Sequence, residues 1–393
     1  MAGIYQQTQA KSENMDVLCL HDSTEYLFTA HRKSKDGKVT GPGTNSKSSV
    51  MLFHGSMVVD LHSFIPLGIS CAYPWARSKD ALNRHQRNYK KLPIEEKESY
   101  RWINNVEESE TVLSKAKSVL HVGDRELDIW DFFVRSTKQQ YDFLVRANHN
   151  RRLVNSKLCL KDWIKNQPIQ GSIQIQFGAN SKRARINKCI NASVKFGNVK
   201  LKQASSCSYK MPFIEVWIIE VCQTISCDDD KQIHWYLITN RKVEDIATAK
   251  QMINAYKMRW QIEEWFGITK QKGFNFEKSQ LSQSEGLLKL LVIILWVSMR
   301  HLQLIKQREN QTDKADLYFN KNEIEILKKL ELKLDGKTKR QQNPYVRDSL
   351  AWAIYILAKL GGWLGQPAGY KPGIKTLKRG EDKLKTLLIL YEP

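Results

Sequence analysis

The sequence predicts an α/β protein, and three observations lead to this fold class. Short apolar runs rich in β-branched and aromatic residues recur in the first half of the chain, as is typical of strands. Helix-period stretches at 94–117 and 125–136 separate them, and such alternation predicts an α/β core. Hydrophobic residues make up 41% of the 393 and aromatic residues 10%, which is enough for a buried core and excludes a largely disordered chain. The predicted strands cover 17–21, 50–62, 63–73, 118–124 and 141–148.

The second half of the chain begins with a change of pattern. Between 151 and 235, alternating apolar runs are separated by Gly, Asn, Ser and Asp, which predicts an antiparallel β unit inside the α/β chain. Helical patterns resume at Val243 and continue to about Leu334. A polar, linker-like stretch at 335–345 then precedes a last helical, Trp-bearing segment at 346–364.

The charge of the chain indicates a polyanionic partner. There are 62 Lys and Arg residues against 41 Asp and Glu, a formal net charge of +21, and the excess is spread along the chain without a basic tail. A broad cationic surface most often serves nucleic acid. The alternative is a soluble protein that is merely basic.

Cysteine and hydropathy patterns indicate a cytoplasmic protein. The seven Cys contain no C-x-x-C pair and the nine His no H-E-x-x-H spacing, so we expect neither a disulfide framework nor a structural zinc site. The N-terminus lacks the apolar region of a signal peptide. The most membrane-like run, 290–299, has ten residues between charges, about half of a spanning length. We therefore expect a buried helix there and no membrane partner.

Two aspartates follow apolar runs in the same way. Asp22 ends VLCLH and Asp124 ends SVLHVG, and ligands of open α/β sheets bind at the carboxyl ends of strands. Two carboxylates there suit a hard divalent cation such as Mg²⁺. The alternative is that each Asp caps the following turn or helix, which is the commonest use of this residue.

A third acidic residue lies in a predicted helix at 255–272. Tyr256, Arg259, Glu263 and Lys270 are spaced by 3, 4 and 7 residues, which at about 100° per residue puts them on one stripe roughly 60° wide. A phenol, a guanidinium, a carboxylate and an ammonium on one stripe can bind a metal and the phosphates around it. A solvated charged face is the alternative.

Together these motifs resemble the D-D-E transposases of insertion-sequence family four, the bacterial transposon-five type with the Y-R-E-K signature. The resemblance rests on Asp22 in HDST, Asp124 in GDRELD and the spacing Tyr-x2-Arg-x3-Glu-x6-Lys. It extends to IEEKESYRW (94–102), FLVRANHNRR (143–152), HWYLITN (234–240) and LAKLGGWLG (357–365), and so covers nearly the whole chain.

The resemblance implies a fold and a domain order. We expect a ribonuclease-H-like catalytic core interrupted by a β-rich insertion and followed by a helical C-terminal interaction domain. In this sequence the implied parts are a polar N-terminal stub (1–16), the first part of the core (17–150), the insertion (151–235), the second part with the Y-R-E-K helix (236–305) and a helical dimerisation region (306–393).

The resemblance also implies residue roles. Asp22, Asp124 and Glu263 would hold two Mg²⁺ ions, for which Mn²⁺ can substitute, and two such ions activate a nucleophile and stabilise the leaving oxygen. Transposon-end DNA would be contacted by Tyr256, Arg259, Lys270, Arg146 and Trp235. For Trp235 that contact would be stacking with a base flipped from the duplex, and the alternative is a core aromatic.

The implied function is cut-and-paste DNA transposition. We expect a metal-dependent transposase that cleaves transposon ends and transfers strands into target DNA, acting as a homodimer on duplex DNA in the bacterial cytoplasm, at the nucleoid. Family members carry a helical end-binding domain before the first Asp, whereas 21 residues precede Asp22 here. The alternative is therefore a truncated, inhibitory DNA-binding relic that dimerises with full-length transposase.

Overall fold

The described part of the protein is organised around one large mixed sheet, with helices on both faces. The computed structural model describes residues 1–29, 36–42, 49–77, 92–154, 156–177, 188–205, 207–224, 233–365 and 370–391. Among the described residues nine strands join in the order β2-β3-β1-β5-β6-β10-β9-β8-β7, and a tenth strand, β4, pairs with β3. The predicted α/β class is confirmed.

The first half of the sheet combines antiparallel and parallel pairs. β4, β3 and β1 are antiparallel neighbours, whereas β1, β5 and β6 run parallel. The apolar runs of the sequence supply these strands, and their buried side chains form the core. The strands are β1 (Asp16–Phe28), β2 (Gly41–Pro42), β3 (Ser49–Asp60), β4 (Pro66–Trp75), β5 (Ser118–Gly123) and β6 (Asp142–Arg146).

The β-rich segment continues the same sheet. Its strands pair antiparallel in the order β10-β9-β8-β7, and β10 pairs antiparallel with β6. The segment therefore extends the core sheet along its hydrogen-bonding direction. Its strands are β7 (Gly171–Phe177), β8 (Lys188–Lys202), β9 (Phe213–Gln223) and β10 (His234–Thr239).

Helices cover the first half of the sheet. α1 lies within the polar N-terminal stretch, where the composition gave no indication of it, and packs on β4 through Thr8, whose hydroxyl donates to the Ile69 carbonyl at 2.9 Å. α2 covers β3 and β4. These helices, with two others before the β-rich strands, are α1 (Ala2–Ser12), α2 (Tyr100–Val112), α3 (Trp130–Gln139) and α4 (Leu160–Lys165).

The predicted Y-R-E-K helix is divided, so the single stripe was wrong for one residue. α5 (Ile246–Met258) and α6 (Trp260–Gly267) meet at Arg259, and a π-helical turn, Ile268–Lys272, follows. Within that turn Lys270 has non-helical angles, φ −89° and ψ −134°. Helical periodicity therefore relates Tyr256, Arg259 and Glu263 but does not extend to Lys270.

The long apolar helix α7 (Ser284–Lys306) has 23 residues and contains the run at 290–299. By length and composition alone this helix could cross a membrane, so the prediction that the apolar segment is too short to span one was wrong. Half of its most apolar 18-residue window is buried inside the protein. α7 packs on β4, α6 and α10. Trp296 and Ile293 are exposed, whereas Leu291 and Leu295 are buried.

The C-terminal helices surround a separate apolar cluster that includes Trp352, Leu357 and Leu384. α9 and α10 cross at two glycines: a Cβ on Gly361 would lie 2.0 Å from the Thr376 carbonyl oxygen, and one on Gly380 2.0 Å from that of Leu357. Only glycine permits this close approach of the two backbones. The helices are α8 (Lys321–Leu334), α9 (Leu350–Leu360) and α10 (Ile374–Tyr391).

Candidate active site

The two strand aspartates stand level with each other in the sheet. Parallel pairing of β1 with β5 ends at Leu20 and Val122, and two residues further along each chain come Asp22 and Asp124. The expectation that Asp22 closes its strand was wrong, because β1 continues to Phe28 through antiparallel pairing with β3. Asp22 thus lies where the parallel neighbour ends and the mouth of the sheet opens.

Local backbone contacts fix both carboxylates. The Asp22 carboxylate accepts a hydrogen bond from the backbone N–H of Ser23 at 2.8 Å. Asp124 caps a short 3-10 turn, Arg125–Leu127, by accepting from the Glu126 N–H at 2.8 Å. The capping alternative for Asp124 is therefore present in the structure, and it leaves the second carboxylate oxygen available.

Helix α6 brings the third carboxylate to the same face of the sheet. Gly55 of β3 pairs with Asp22, and a Cβ there would lie 3.1 Å from the Trp265 ring and 3.3 Å from the Phe266 ring. The missing side chain thus lets α6 lie against the strands. Trp265 and Ile262 are fully buried, which turns the Arg259 and Glu263 side chains toward Asp22.

Arg259 joins two of the three carboxylates. Its guanidinium donates to Asp22 Oδ2 at 2.7 Å and to Glu263 Oε1 at 2.6 Å. The pKa of Asp22 is raised to about 7, chiefly because the carboxyl is buried; the negative charges of Asp124 and Glu263 add to the rise, and Arg259 opposes it. The three carboxylates therefore form one electrostatic unit, in which Arg259 is the close counter-ion of Asp22 and Glu263.

Tyr256 links this unit to β6 and β10. The Tyr256 side chain is 5% exposed; burial raises the pKa of its hydroxyl, and the positive charges of Arg259 and Arg146 oppose that rise. Its ring meets the half-buried Trp235 edge-on, with centroids 5.4 Å apart. Burial lowers the pKa of Arg146, whose guanidinium also donates to the His234 carbonyl at 3.4 Å. Tyr256, Arg259, Arg146 and Trp235 are thus neighbours.

Lys270 belongs to a different environment. Its ammonium lies over the Tyr26 ring, 5.6 Å from the centroid. Burial lowers the pKa of Lys270, and the carboxylates that oppose this shift are Glu277 and Glu25. The structure therefore places Lys270 beside β1, next to Tyr26, and gives it acidic neighbours other than Glu263.

Comparison with known families bears on this arrangement. Residues 110–300 match the family model for the transposase DDE domain. The match supports a DDE transposase family. It covers 191 of the 393 residues (300 − 110 + 1), and it includes Asp124, Tyr256, Arg259 and Glu263 but begins after Asp22. It points to a transposase-type nucleotidyl transfer with DNA as the partner.

DDE transposase domains generally use divalent metal ions, and the residues present fit such ions. Three carboxylates supply the oxygen donors that hard divalent cations prefer. Burial is the main cause of the raised pKa of Asp22, and repulsion from Asp124 and Glu263 adds to it, so a cation among them would be stabilising. Arg259 now lies between Asp22 and Glu263. The guanidinium would thus compete with a metal ion for Asp22 Oδ2 and Glu263 Oε1.

Sequence reasoning missed the polar layer on the opposite face of β1. There Ser23 bonds His54 at 2.8 Å, His21 bonds Ser56 at 2.8 Å, and Arg101 of α2 donates to the Ser23 hydroxyl at 3.2 Å. The signal was available as polar residues at every second position of strands β1 and β3. These runs were interpreted only as strands, so their polar residues were not predicted to form a cluster.

Proposed function

We propose that this protein is a DNA transposase of the insertion-sequence family four type, which cleaves strands at transposon ends and transfers them into target DNA as a homodimer. The observation that carries the proposal is that Asp22 lies near both Asp124 and Glu263, with Arg259 bonded to Asp22 and Glu263, in a chain whose residues 110–300 match a transposase DDE domain. The strand order β4-β3-β1-β5-β6 supports a ribonuclease-H-like core.

The three carboxylates would hold two Mg²⁺ ions, with Mn²⁺ as a substitute. Bound there, the ions would supply activation of a water or 3′-hydroxyl and stabilisation of the leaving oxygen. The chain's own contribution is positional. β1 and the end of β5 hold two carboxylates level, the packing of α6 sets the distance of the third, and the backbone bonds to Asp22 and Asp124 fix their rotation.

The basic and aromatic neighbours would hold the DNA. Once a cation replaces it between the carboxylates, the Arg259 guanidinium can bind a phosphate with the fork geometry that suits two oxygens. Arg146 and Lys270 would add phosphate contacts, and Tyr256 would orient both arginines. Trp235 is half-buried and retains an exposed part on which a flipped base could stack. The site of action we propose is the bacterial cytoplasm, at the nucleoid.

Isosteric removal of one carboxylate charge at a time tests the assignment. In Asp22→Asn, Asp124→Asn and Glu263→Gln we expect at least about a 100-fold loss of Mg²⁺-dependent cleavage, since disturbing even the outer shell of a metal site costs roughly 10–100-fold. The substrate is a labelled duplex carrying the inverted repeats that flank the coding sequence. Affinity for the duplex, measured by fluorescence anisotropy, should change less than about threefold.

Asp142→Asn is the matched control, because Asp142 opens β6 and pairs with Arg241 outside the carboxylate unit. It should cleave like the unaltered protein. Normal cleavage by any of the three site variants would refute the assignment. An unaltered chain that binds the ends and dimerises without cleaving them would instead favour the inhibitory relic.

A further inference from the structure

The most unusual cluster outside the carboxylate unit lies on the other face of β1, beneath α2. Cys19, His21 and His121 are fully buried, and one ligand atom from each lies within 4.8 Å of the others. Among the described residues, these three form the group of potential metal ligands whose ligand atoms all lie this close to one another. Cys19 is paired with His121 in the register of β1 with β5, and His21 is two residues along the same face.

The two imidazoles face each other through ring nitrogens. His21 Nε2 lies 2.9 Å from His121 Nδ1. The outer nitrogens are both held: His121 Nε2 lies 2.6 Å from Glu110 Oε1, and His21 Nδ1 lies 2.8 Å from the Ser56 hydroxyl. An ionised carboxylate only accepts, so His121 donates outward and keeps its Nδ1 lone pair directed at His21.

This arrangement is the outer shell that metal-binding histidines commonly have. Such a histidine donates its second N–H to a carboxylate, carbonyl or similar acceptor, which fixes the tautomer and directs the other nitrogen at the metal. Glu110 does so for His121. The Ser56 hydroxyl can rotate to accept from His21. In the absence of a metal, one proton occupies the hydrogen bond between the two rings.

We infer that Cys19, His21 and His121 form a binding site for a borderline-soft divalent transition metal, with Zn²⁺ as the fitting ion. Zn²⁺ is commonly bound by cysteine thiolates and histidine imidazoles, as this cluster offers, whereas Mg²⁺ prefers carboxylate oxygens. Tetrahedral Zn²⁺ with bonds of about 2.0–2.1 Å places ligand nitrogens about 3.3 Å apart, so the rings need to separate by roughly 0.4 Å.

Charge balance also favours the ion. Binding releases one proton, that of the Cys19 thiol, while the proton between the rings moves to His21 Nδ1 and is donated from there to the Ser56 hydroxyl. The resulting thiolate, together with the Glu110 carboxylate at 2.6 Å from His121, offsets the two positive charges. Buried charges are tolerated when they are paired in this way. The ion would join β1 to β5, the two strands that carry Asp22 and Asp124.

Cobalt substitution in the full-length protein tests the site. A thiolate bound to Co²⁺ gives a near-ultraviolet charge-transfer band that oxygen ligands do not give. We expect about one equivalent of Zn²⁺ per chain after purification without chelator, and the band after exchange into Co²⁺. Cys19→Ser should lose the band and at least about 90% of the bound metal, because the thiolate is the anionic ligand.

Two variants separate this site from its surroundings. Cys71→Ser is the matched control, since Cys71 is also buried but bonds Glu108, and it should keep the band. The combined variant Asp22→Asn, Asp124→Asn, Glu263→Gln should also keep it, which makes the result independent of the proposed transposase activity. Absence of both zinc and the band from the unaltered protein, or an undiminished band in Cys19→Ser, would overturn the inference.

A thermal measurement covers the case in which Cys19→Ser does not fold. Chelation of the unaltered protein should lower its melting temperature, and stoichiometric Zn²⁺, but not millimolar Mg²⁺, should restore it, since an ion that binds only the native state stabilises that state. A melting temperature insensitive to chelator and Zn²⁺ would contradict the site.

Discussion

At the scale of single residues, the phosphate contact proposed for Arg259 would exclude its present contacts with the carboxylates. Its guanidinium now bonds Asp22 at 2.7 Å and Glu263 at 2.6 Å, so it occupies the position of a cation among the carboxylates. A phosphate contact would need the same nitrogens. In the proposed function, metal binding and DNA binding would therefore be linked through the release of one side chain, and such a linkage is reciprocal.

This linkage predicts opposite effects of Arg259→Ala on metal and DNA. Without DNA, affinity for Mn²⁺, measured by electron paramagnetic resonance, should rise about tenfold, because a competing hydrogen bond between charged groups of roughly 1.5–3 kcal/mol is removed. Duplex binding in the presence of metal should weaken, because the guanidinium that the ion would release is then missing as a phosphate contact. Arg125→Ala removes an exposed cation next to Asp124 and is the control for long-range charge. An equal rise in both variants would show that Arg259 does not compete with the ion.

The chemistry of the site was partly predictable at this scale. Two carboxylates after apolar runs, and a third on a helical stripe with Tyr256 and Arg259, are sequence patterns that local geometry produces. The ion pairs of Arg259 and the facing imidazoles of His21 and His121 depend on which strands become neighbours. Ligands contributed by two strands about 100 residues apart have no characteristic spacing, which is why the cysteine and histidine counts gave no indication of them.

At the scale of elements, helix boundaries were harder to predict than strands. The Y-R-E-K segment is helix-forming throughout, yet it divides at Arg259, where the bonds Arg259 N–Tyr256 O and Ile262 N–Arg259 O (both 3.1 Å) span three residues. A π-helical turn then displaces Lys270. Such changes of helical pitch are common at functional sites and follow from the packing of α6 on the sheet, not from residue propensity.

Helix α10 is attached to α7 by a buried acidic residue. Glu381 of α10 is 5% exposed, and its carboxylate lies 2.8 Å from His301 Nε2 and 3.3 Å from Arg300 Nε. Burial alone would raise its pKa, but the close contact with His301 and the charges of His301, Arg300 and Lys385 outweigh burial and lower the pKa to about 2. The ionised form is thus the one that the folded state favours.

Glu381→Gln should therefore destabilise the protein by about 3 kcal/mol at neutral pH, since one pKa unit corresponds to about 1.4 kcal/mol. The unfolded group titrates near 4.5 and the folded one near 2, so the contribution is complete above about pH 4.5 and disappears as the pH falls to 2. Urea unfolding at several pH values measures it. The exposed Asp382→Asn is the neighbouring control, and equal stability of the two variants would contradict the prediction.

At the scale of the whole molecule, a net charge of +21 suits a polyanionic partner such as DNA. A cleft of about 710 Å³ lies between the segment after the π-helical turn and the start of α10, and four cations line it together with Gly273 and Asn275. They are Lys278, Lys375, Lys378 and Arg379. The cleft thus brings the C-terminal helix next to the chain that follows Lys270.

Removal of three of these cations should change how DNA binding depends on salt. Lys375→Ala, Lys378→Ala and Arg379→Ala together should weaken duplex binding and reduce the slope of log K against log salt by up to about 2.7, since each phosphate contact contributes about 0.9. The control is a second triple variant, in which three exposed lysines of α8 are replaced by Ala: Lys321, Lys329 and Lys333. They do not line the cleft, and their loss removes the same number of positive charges. Equal slopes in the two triple variants would assign the effect to net charge alone.

Strand β1 separates two kinds of chemistry by residue parity. Even-numbered Asp22 points to α6 and Arg259, whereas odd-numbered Cys19, His21 and Ser23 point to the layer beneath α2. Side chains alternate strictly along a strand, so a slip by one residue would send each set to the other face. An imidazole would then enter the carboxylate unit, and a carboxylate would be buried among histidines. Insertions before Asp22 in β1 are therefore tolerable only in steps of two.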